Sequence, residues 1–295
     1  MDLTRHIIPT APGIDIAVHD SGGDGPALVL LHGYPQDHRC WLRVLPLLAP
    51  RFRCLAVDLR GYGASTAPAD DDGHTTYSKR SMARDLKAVL DQLDIERADI
   101  AGHDRGARVA YRFALDHPDR IRRLAVLDVL PTAEFWDLWA PDLAMKAYHW
   151  TFLAQPAPLP ERMIAADPRA YLDHTLASWT APGDLAPFLP DALAAYRAQM
   201  ADPERVAAMC ADYRAGYHTD RAIDAADREA GRRIEASTLF LWGERGFPAS
   251  QPDPLAIWTR WTRDLTGRVL ASGHFAPEEA PGEVATALLG HFSGS

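Results

Sequence analysis

The feature that most constrains this chain is the pentapeptide Gly102-His103-Asp104-Arg105-Gly106. It follows a short apolar run at residues 98–101 and precedes a helical pattern of apolar residues that continues to Ala114. Glycines on both sides of a central polar residue permit a sharp turn from a strand into a helix, with the central side chain held above the edge of a sheet. The pattern therefore predicts a strand, a tight turn and a helix, with Asp104 displayed at the turn.

An aspartate in this position can attack without the help of a base. A carboxyl group with an ordinary pKa of about 3.9 is an anion at neutral pH, whereas a serine hydroxyl must first lose a proton. A carboxylate that attacks an sp³ carbon with a good leaving group forms an alkyl ester, which water can later cleave. Carbon–halogen bonds and epoxides meet this requirement. The simpler alternative is that Asp104 only caps the helix.

The composition is that of a globular enzyme. The 295 residues are 47% hydrophobic and 24% charged, which is typical of one large core with an inserted subdomain. A net charge of -9 disfavours nucleic acid and anionic membranes as partners. Three cysteines, Cys40, Cys54 and Cys210, have no metal-ligand spacing and indicate reduced thiols in a cytoplasmic protein. The N-terminus lacks the pattern of a signal peptide, and no apolar run is long enough to span a bilayer.

Short apolar runs bounded by turn residues predict buried parallel strands at 27–32, 53–58, 98–102, 124–130, 238–242 and 267–271. Helical patterns such as 82–93 and 284–292 alternate with these runs, which indicates a doubly wound, mostly parallel α/β sheet. The segment 132–233 has no convincing strand and is rich in Trp, Ala, Leu and Pro. We expect it to form a helical cap between two core segments, 1–131 and 234–295.

Polar residues that directly follow these strands are the first candidates for a site, because open α/β sheets bind ligands at the carboxyl ends of their strands. Asp104, Asp128 and His274 occupy such positions in the order nucleophile, acid, base. His32-Gly33-Tyr34-Pro35 follows the first predicted strand. The backbone N–H groups of Tyr34 and Arg105 are therefore the candidates for an oxyanion hole.

The acid partner of His274 is the less obvious assignment. Many serine enzymes of this fold take it from a W-G-x-x-D turn, but this chain has Gly246 where that aspartate would stand. Asp128 is the remaining well-placed carboxylate, and a charged residue at an apolar strand end needs a partner. We favour Asp128 over Glu244 as the residue that orients His274.

Arg105 and Arg108 are one turn apart at the start of the helix that follows Asp104. Their guanidinium groups can converge beside Asp104 and match a carboxylate. Cations at a helix N-terminus oppose the macrodipole, which suggests a use beyond solubility. We expect both at an exposed pocket mouth, where they bind a substrate carboxylate. The alternative is a pair of ordinary surface arginines.

Several motifs along nearly the whole chain resemble the haloacetate dehalogenases, and fluoroacetate dehalogenase in particular. The resembling segments are Gly102-His103-Asp104-Arg105-Gly106-Ala107-Arg108, Ala114-Leu115-Asp116-His117-Pro118-Asp119, Leu127-Asp128-Val129-Leu130-Pro131-Thr132, Tyr148-His149-Trp150, Gln155-Pro156-Ala157-Pro158, Asp212-Tyr213-Arg214-Ala215-Gly216 and Gly273-His274-Phe275. The matches in the cap are the most specific, because a generic enzyme of this fold would not share them.

This resemblance implies an α/β-hydrolase fold and a hydrolytic dehalogenase of small 2-haloacids such as fluoroacetate or chloroacetate. It assigns Asp104 as nucleophile, His274 as base and Asp128 as acid, with Arg105 and Arg108 on the substrate carboxylate. His149, Trp150 and Tyr213 would hold the departing halide through N–H and O–H donors. It further implies a homodimer and a reaction that needs no cofactor or metal. Without the resemblance, Trp150 and Tyr213 would be interpreted as core residues of the cap.

Two other enzymes and one binding protein compete with this interpretation. An epoxide hydrolase uses the same Asp nucleophile and His base with cap tyrosines such as Tyr213, but gives His149, Trp150 and the two arginines no role. A haloalkane dehalogenase would leave the arginines unpaired. A non-catalytic small-molecule receptor on this fold could lose a triad member, whereas this chain keeps all three.

Overall fold

The structure is a computed structural model, and it describes residues 2–293. Within that range eight strands form one sheet in the order β1-β2-β4-β3-β5-β6-β7-β8. Strands β3 to β8 pair in parallel, while β1 and β2 are antiparallel to their neighbours. The strands are β1 Thr4–Ala11, β2 Ile14–Asp20, β3 Ala27–Leu31, β4 Arg53–Val57, β5 Ala98–His103, β6 Ile121–Leu127, β7 Ser237–Gly243 and β8 Leu265–Leu270.

Helices follow most of the strands and fill the segment between β6 and β7. They are α1 Leu45–Leu48, α2 Lys79–Gln92, α3 Arg105–Asp116, α4 Thr132–Asp137, α5 Pro141–Lys146, α6 His149–Leu153, α7 Leu159–Ala166, α8 Pro168–Trp179, α9 Pro190–Met200, α10 Pro203–Ala215, α11 Arg221–Glu229, α12 Pro254–Thr259, α13 Ala276–Glu279 and α14 Pro281–Phe292. No helix among the described residues is both long and apolar enough to cross a lipid bilayer.

The sheet is buried on both faces, as its apolar strands require. In β3, Val29 and Leu31 point into a core shared with α2 and α3, whereas Leu28 and Leu30 point into a second core with α1 and α14. Alternate side chains of a strand face opposite sides of a sheet, so an unbroken apolar run needs helices on both sides. This arrangement confirms the predicted α/β-hydrolase fold with a doubly wound sheet.

Two details differ from the sequence-based expectation. Strands β1 and β2 form an antiparallel hairpin that was not predicted, because β1 is mostly exposed and lacks a continuous apolar run. Strand β6 ends at Leu127, so Asp128 lies in the following turn rather than within a strand. The backbone φ of Asp128 is 56°, which is in the left-handed region.

The chain between β6 and β7 contains helices and no strand among the described residues, from α4 to α11. These helices carry the inserted cap that the fold class predicted. Helices α6 and α10 pack on each other and bring His149, Trp150 and Tyr213 over the carboxyl ends of the strands. The division at residues 131/132 and 233/234 stays a prediction.

Candidate active site

Asp104 lies in the turn between β5 and α3 in a backbone conformation that side chains rarely adopt, with φ 46° and ψ -116°. The neighbouring glycines are required by close packing. A Cβ on Gly106 would stand 2.3 Å from the carbonyl oxygen of His32, and one on Gly102 would stand 2.5 Å from the carbonyl oxygen of Gly106. The pentapeptide therefore forms the predicted strand–turn–helix.

One carboxylate oxygen of Asp104 is held by the loop that follows β3. The backbone N–H of Tyr34 donates to Oδ2 at 2.9 Å. Gly33 lets the loop come this close, because a Cβ there would stand 2.5 Å from Cβ of Asp104. With Oδ2 held by this donor, Oδ1 is the oxygen available to attack, and an oxyanion formed later on Oδ2 would already face an N–H group.

His274 and Asp128 are in contact at the ends of β8 and β6. Nδ1 of His274 lies 2.5 Å from Oδ2 of Asp128. The backbone N–H groups of Gly243 and Phe247 donate to Oδ1 and Oδ2 of this carboxylate at 3.0 and 3.3 Å. Such a carboxylate fixes the imidazole in the tautomer that leaves Nε2 free to accept a proton.

The alternative acid, Glu244, is exposed to solvent and makes no side-chain contact with His274 that the structure records. Gly246 explains why the acid can come from the turn after β6 in this chain. A Cβ on Gly246 would lie 2.0 Å from Oδ1 of Asp128, so the carboxylate fills the space that a side chain at 246 would take. Of the two carboxylates weighed from sequence, only Asp128 is positioned to orient His274.

The electrostatic surroundings keep Asp104 ionised. Burial acts to raise the pKa of this carboxyl, but the nearby His274, His103 and Arg105, together with Arg108, lower it by more. The net pKa therefore lies below the ordinary value. Asp104 is an anion over the whole neutral range, as a carboxylate nucleophile requires.

Arg105 and Arg108 are both on the first turn of α3 beside Asp104, but the expectation that they are exposed is wrong. Their relative exposures are 0% and 2%. The cap closes over the start of α3, which the sequence pattern could not reveal. Nη1 of Arg105 and Nε of Arg108 are buried without a hydrogen-bond partner among the described residues. Buried N–H donors of this kind indicate a missing acceptor.

His149, Trp150 and Tyr213 come together under the cap. The ring centroids of His149 and Trp150 lie 5.5 and 5.9 Å from that of Tyr213. Burial lowers the pKa of His149 well below its usual range, although Asp104 opposes this, so the imidazole is neutral and carries one N–H. Its Nδ1 is buried with no partner among the residues described.

Other aromatic side chains complete the pocket and were not identified from sequence. The rings of Phe247 and Trp179 lie 4.9 and 5.6 Å from that of His274, and Phe135 lies 4.2 Å from Trp150. The hydroxyl of Tyr34 donates to the hydroxyl of Tyr171 at 3.1 Å. Aromatic residues in a helical cap look like core residues, so no sequence signal distinguished them.

Asp104, Arg108, Asp128, His149, Trp150 and His274 line one pocket. The pocket is small and most of its polar groups are N–H donors around a carboxylate. This arrangement suits a small substrate that carries a negative charge and a leaving group able to accept hydrogen bonds.

Residues 26–281 match the family model described as alpha/beta hydrolase fold, so the class of the protein is that of the α/β-hydrolases. A fluoroacetate dehalogenase from Burkholderia sp is 40% identical over 267 residues, which cover 90% of this chain and 87% of that protein. A putative alpha/beta hydrolase from Nostoc sp PCC 7120 is 41% identical with a TM-score of 0.95, over 100% of this chain and 99% of the other. A putative epoxide hydrolase from Pseudomonas aeruginosa is 41% identical with a TM-score of 0.91, over 99% of this chain and 95% of the other.

Within the α/β-hydrolases, this chain belongs to the fluoroacetate dehalogenase family. This confirms the resemblance recognised in its sequence motifs. It also confirms the prediction that the protein is a hydrolase that acts on carbon–halide bonds. The roles of the individual residues are argued next.

Proposed function

We propose that this enzyme is a hydrolytic dehalogenase that cleaves the carbon–halogen bond of small 2-haloacids through an ester of Asp104. The observation that carries the proposal is the set of unpartnered donors around the nucleophile. Arg108 and His149 line the same pocket as Asp104 and His274, and each has a buried side-chain nitrogen without a hydrogen-bond partner among the described residues. A haloacid supplies both missing acceptors, a carboxylate and a halogen.

In the first step, Oδ1 of Asp104 attacks the carbon that bears the halogen. The new C–O bond forms as the C–X bond breaks, and the halide leaves with the bonding electrons. Arg105 and Arg108 hold the substrate carboxylate, while N–H and O–H donors of His149, Trp150 and Tyr213 solvate the departing halide. Donors fixed in a closed pocket stabilise this charge without having to reorient.

In the second step, water attacks Cγ of the Asp104 ester. Nε2 of His274 takes a proton from that water, and Asp128 stabilises the imidazolium. The oxyanion develops on Oδ2, where the N–H of Tyr34 already donates, with the N–H of Arg105 as the second proposed donor. Collapse breaks the bond between Cγ and the alkyl oxygen, which receives the proton from His274 as the 2-hydroxy acid leaves. The second proton of the attacking water passes from the Asp104 carboxyl to solvent, which regenerates the carboxylate.

A direct test compares halide release from fluoroacetate, chloroacetate and bromoacetate with hydrolysis of styrene oxide. We expect release from the haloacids and none above background from the epoxide. Tyr213 and Tyr171 offer hydroxyl groups in the cap, so an epoxide hydrolase is the alternative that this control examines. Turnover of styrene oxide with no halide release would replace the proposal by that alternative.

We further propose that the enzyme acts as a cytoplasmic homodimer on a free small molecule. The three cysteines are buried and unpaired, as expected for a reducing compartment. Light scattering during gel filtration tests the assembly, and a mass of one chain would contradict it.

A further inference from the structure

Arg105 is held by a single acidic residue from the cap. Its Nε donates to Oδ2 of Asp212 at 3.1 Å, and its Nη2 donates to Oδ1 at 2.5 Å and to the carbonyl oxygen of the same residue at 2.8 Å. The ring of Tyr213 lies 4.4 Å from Cζ of Arg105. These hydrogen bonds engage Nε and Nη2 of the guanidinium. The third nitrogen, Nη1, has no acceptor among the residues described.

Asp212 is itself fully buried and fixed from the opposite side. The hydroxyl of Tyr62 donates to its Oδ2 at 3.0 Å, and Nζ of the buried Lys79 contacts its Oδ1. Burial acts to raise the pKa of Asp212, but Arg105 and Lys79 lower it by more, so the group is a carboxylate at any working pH. The carboxylate of Asp212 is therefore charged and held in place, and it fixes the guanidinium of Arg105.

Arg108 has no such support. Its Nη1 donates to the carbonyl oxygen of Leu130 and to the hydroxyl of Thr132, both at 2.9 Å. Neither acceptor carries a charge. Burial and the neighbouring Arg105 lower the pKa of Arg108, whereas Asp212 raises that of Arg105 despite its burial. The two arginines that sequence analysis treated as a pair thus differ in their electrostatic surroundings.

We propose that Asp212 is a positioning residue for haloacid turnover, which acts through Arg105 by locking its guanidinium so that Nη1 faces the substrate carboxylate. The charge of Arg105 is then balanced by Asp212, so Arg105 contributes a hydrogen bond of fixed direction to the substrate. The charge of Arg108 has no carboxylate partner among the residues that the structure describes, so the substrate carboxylate balances it. This inference rests on the proposed function. It assigns a role to a residue that lies 107 positions from Arg105 in the sequence.

The test is Asp212→Asn, assayed with fluoroacetate and chloroacetate. The carboxamide replaces one carboxylate oxygen by an NH₂ group, which cannot accept a hydrogen bond from Arg105, Lys79 or Tyr62. The guanidinium of Arg105 therefore cannot keep both of its side-chain hydrogen bonds to residue 212, and we expect it to change orientation. We expect KM to rise about ten-fold or more, with a smaller change in kcat. Removal of a negative charge alone would strengthen anion binding, so an unchanged or lower KM overturns the proposal.

Asp227→Asn is the matched control. Asp227 pairs with Arg112, which lies on the same helix as Arg105, and both are buried away from the pocket. Loss of this carboxylate carries a similar structural cost, so we expect lower thermal stability with KM within about two-fold of the wild type. An equal rise of KM in both variants would mean that Asp212 acts only through stability.

A double-mutant cycle with Arg105→Leu separates positioning from other effects. In that background Asp212→Asn should change kcat/KM by less than about two-fold, and additive losses overturn the proposal. If Asp212→Asn does not fold, Tyr62→Phe removes one contact to the same carboxylate without changing charge. It should raise KM about two- to five-fold in the wild type and leave it unchanged in Arg105→Leu, and any other result contradicts the proposal. A wild-type enzyme that releases no halide would instead refute the function.

Discussion

Gly246 lies against the carboxylate of Asp128, and a Cβ built there would stand 2.0 Å from Oδ1. We predict that Gly246→Ala displaces this carboxylate from His274 and lowers kcat about 100-fold or more, because the imidazole loses its orientation. Steady-state halide release measures the effect. Gly290→Ala on α14, where nothing lies within 4 Å, is the control and should remain fully active. Wild-type turnover in Gly246→Ala would show that Asp128 is not needed.

The halide donors can be tested one at a time. Fluoride holds its hydration water strongly and leaves poorly, so its departure needs more hydrogen bonds than that of chloride or bromide. We predict that Trp150→Phe and Tyr213→Phe each lower the rate with fluoroacetate about ten-fold more than the rate with bromoacetate. Progress curves with each substrate give the ratio.

Trp136→Phe is the matched control for this comparison. Trp136 packs beside Trp150 at a centroid distance of 5.5 Å, but it does not line the pocket that contains Asp104. The control should affect all halogens equally. The same equal loss in the two test variants would mean that Trp150 and Tyr213 only shape the cap.

Among the structural elements, the N-terminal hairpin pairs with β4 through β2, and Asp58, which follows β4, adds a side-chain contact to the hairpin. Oδ1 accepts from the backbone N–H and Nδ1 of His38 at 2.9 and 2.8 Å, and Oδ2 accepts from the N–H of Ala64 at 2.9 Å and lies 3.2 Å from Nε2 of His19 on β2. Burial acts to raise the pKa of this carboxyl, but His19 and His38 lower it by more, to well below its usual value.

A carboxyl group with a lowered pKa in the folded state stabilises the fold above its unfolded pKa of about 3.9 and loses that effect as the pH falls through the folded value. Asp58→Asn should therefore lower the free energy of unfolding by about 3 kcal/mol at pH 7. Urea titrations should show the difference from wild type persisting to about pH 4.5 and shrinking only below about pH 4. The exposed Asp24→Asn should cost less than about 0.5 kcal/mol. A difference that vanishes by pH 6 would contradict this account.

Elements whose residues are buried on both faces were predictable, and those shaped by tertiary contacts were not. The apolar runs of β3, β4, β5 and β7 mark them as central strands, within one or two residues of their observed ends. The mostly exposed β1 has no comparable signal. The cap was predictable as helical, but the sequence does not show that it buries Arg105 and Arg108.

Across the whole molecule, the sequence predicted the parts of the site that depend on chain order and strand ends. Asp104, Asp128 and His274 each follow a strand, and the topology of a parallel sheet brings such positions to one edge. Contacts between the cap and the core depend on helix packing instead. The support of Arg105 by Asp212 and the rings of Trp179 and Phe247 around His274 belong to this second kind.

The covalent ester on Asp104 is the central claim, and its most direct test is turnover in water enriched in heavy oxygen, followed by mass spectrometry of the peptide that contains Asp104. His274→Asn, which should form the ester but not hydrolyse it, provides the companion sample. We predict heavy oxygen in the Asp104 carboxyl of the wild type after several turnovers, and a substrate-derived adduct on the same residue in His274→Asn. Heavy oxygen found only in the hydroxy-acid product, with Asp104 unlabelled and unmodified, would contradict the account.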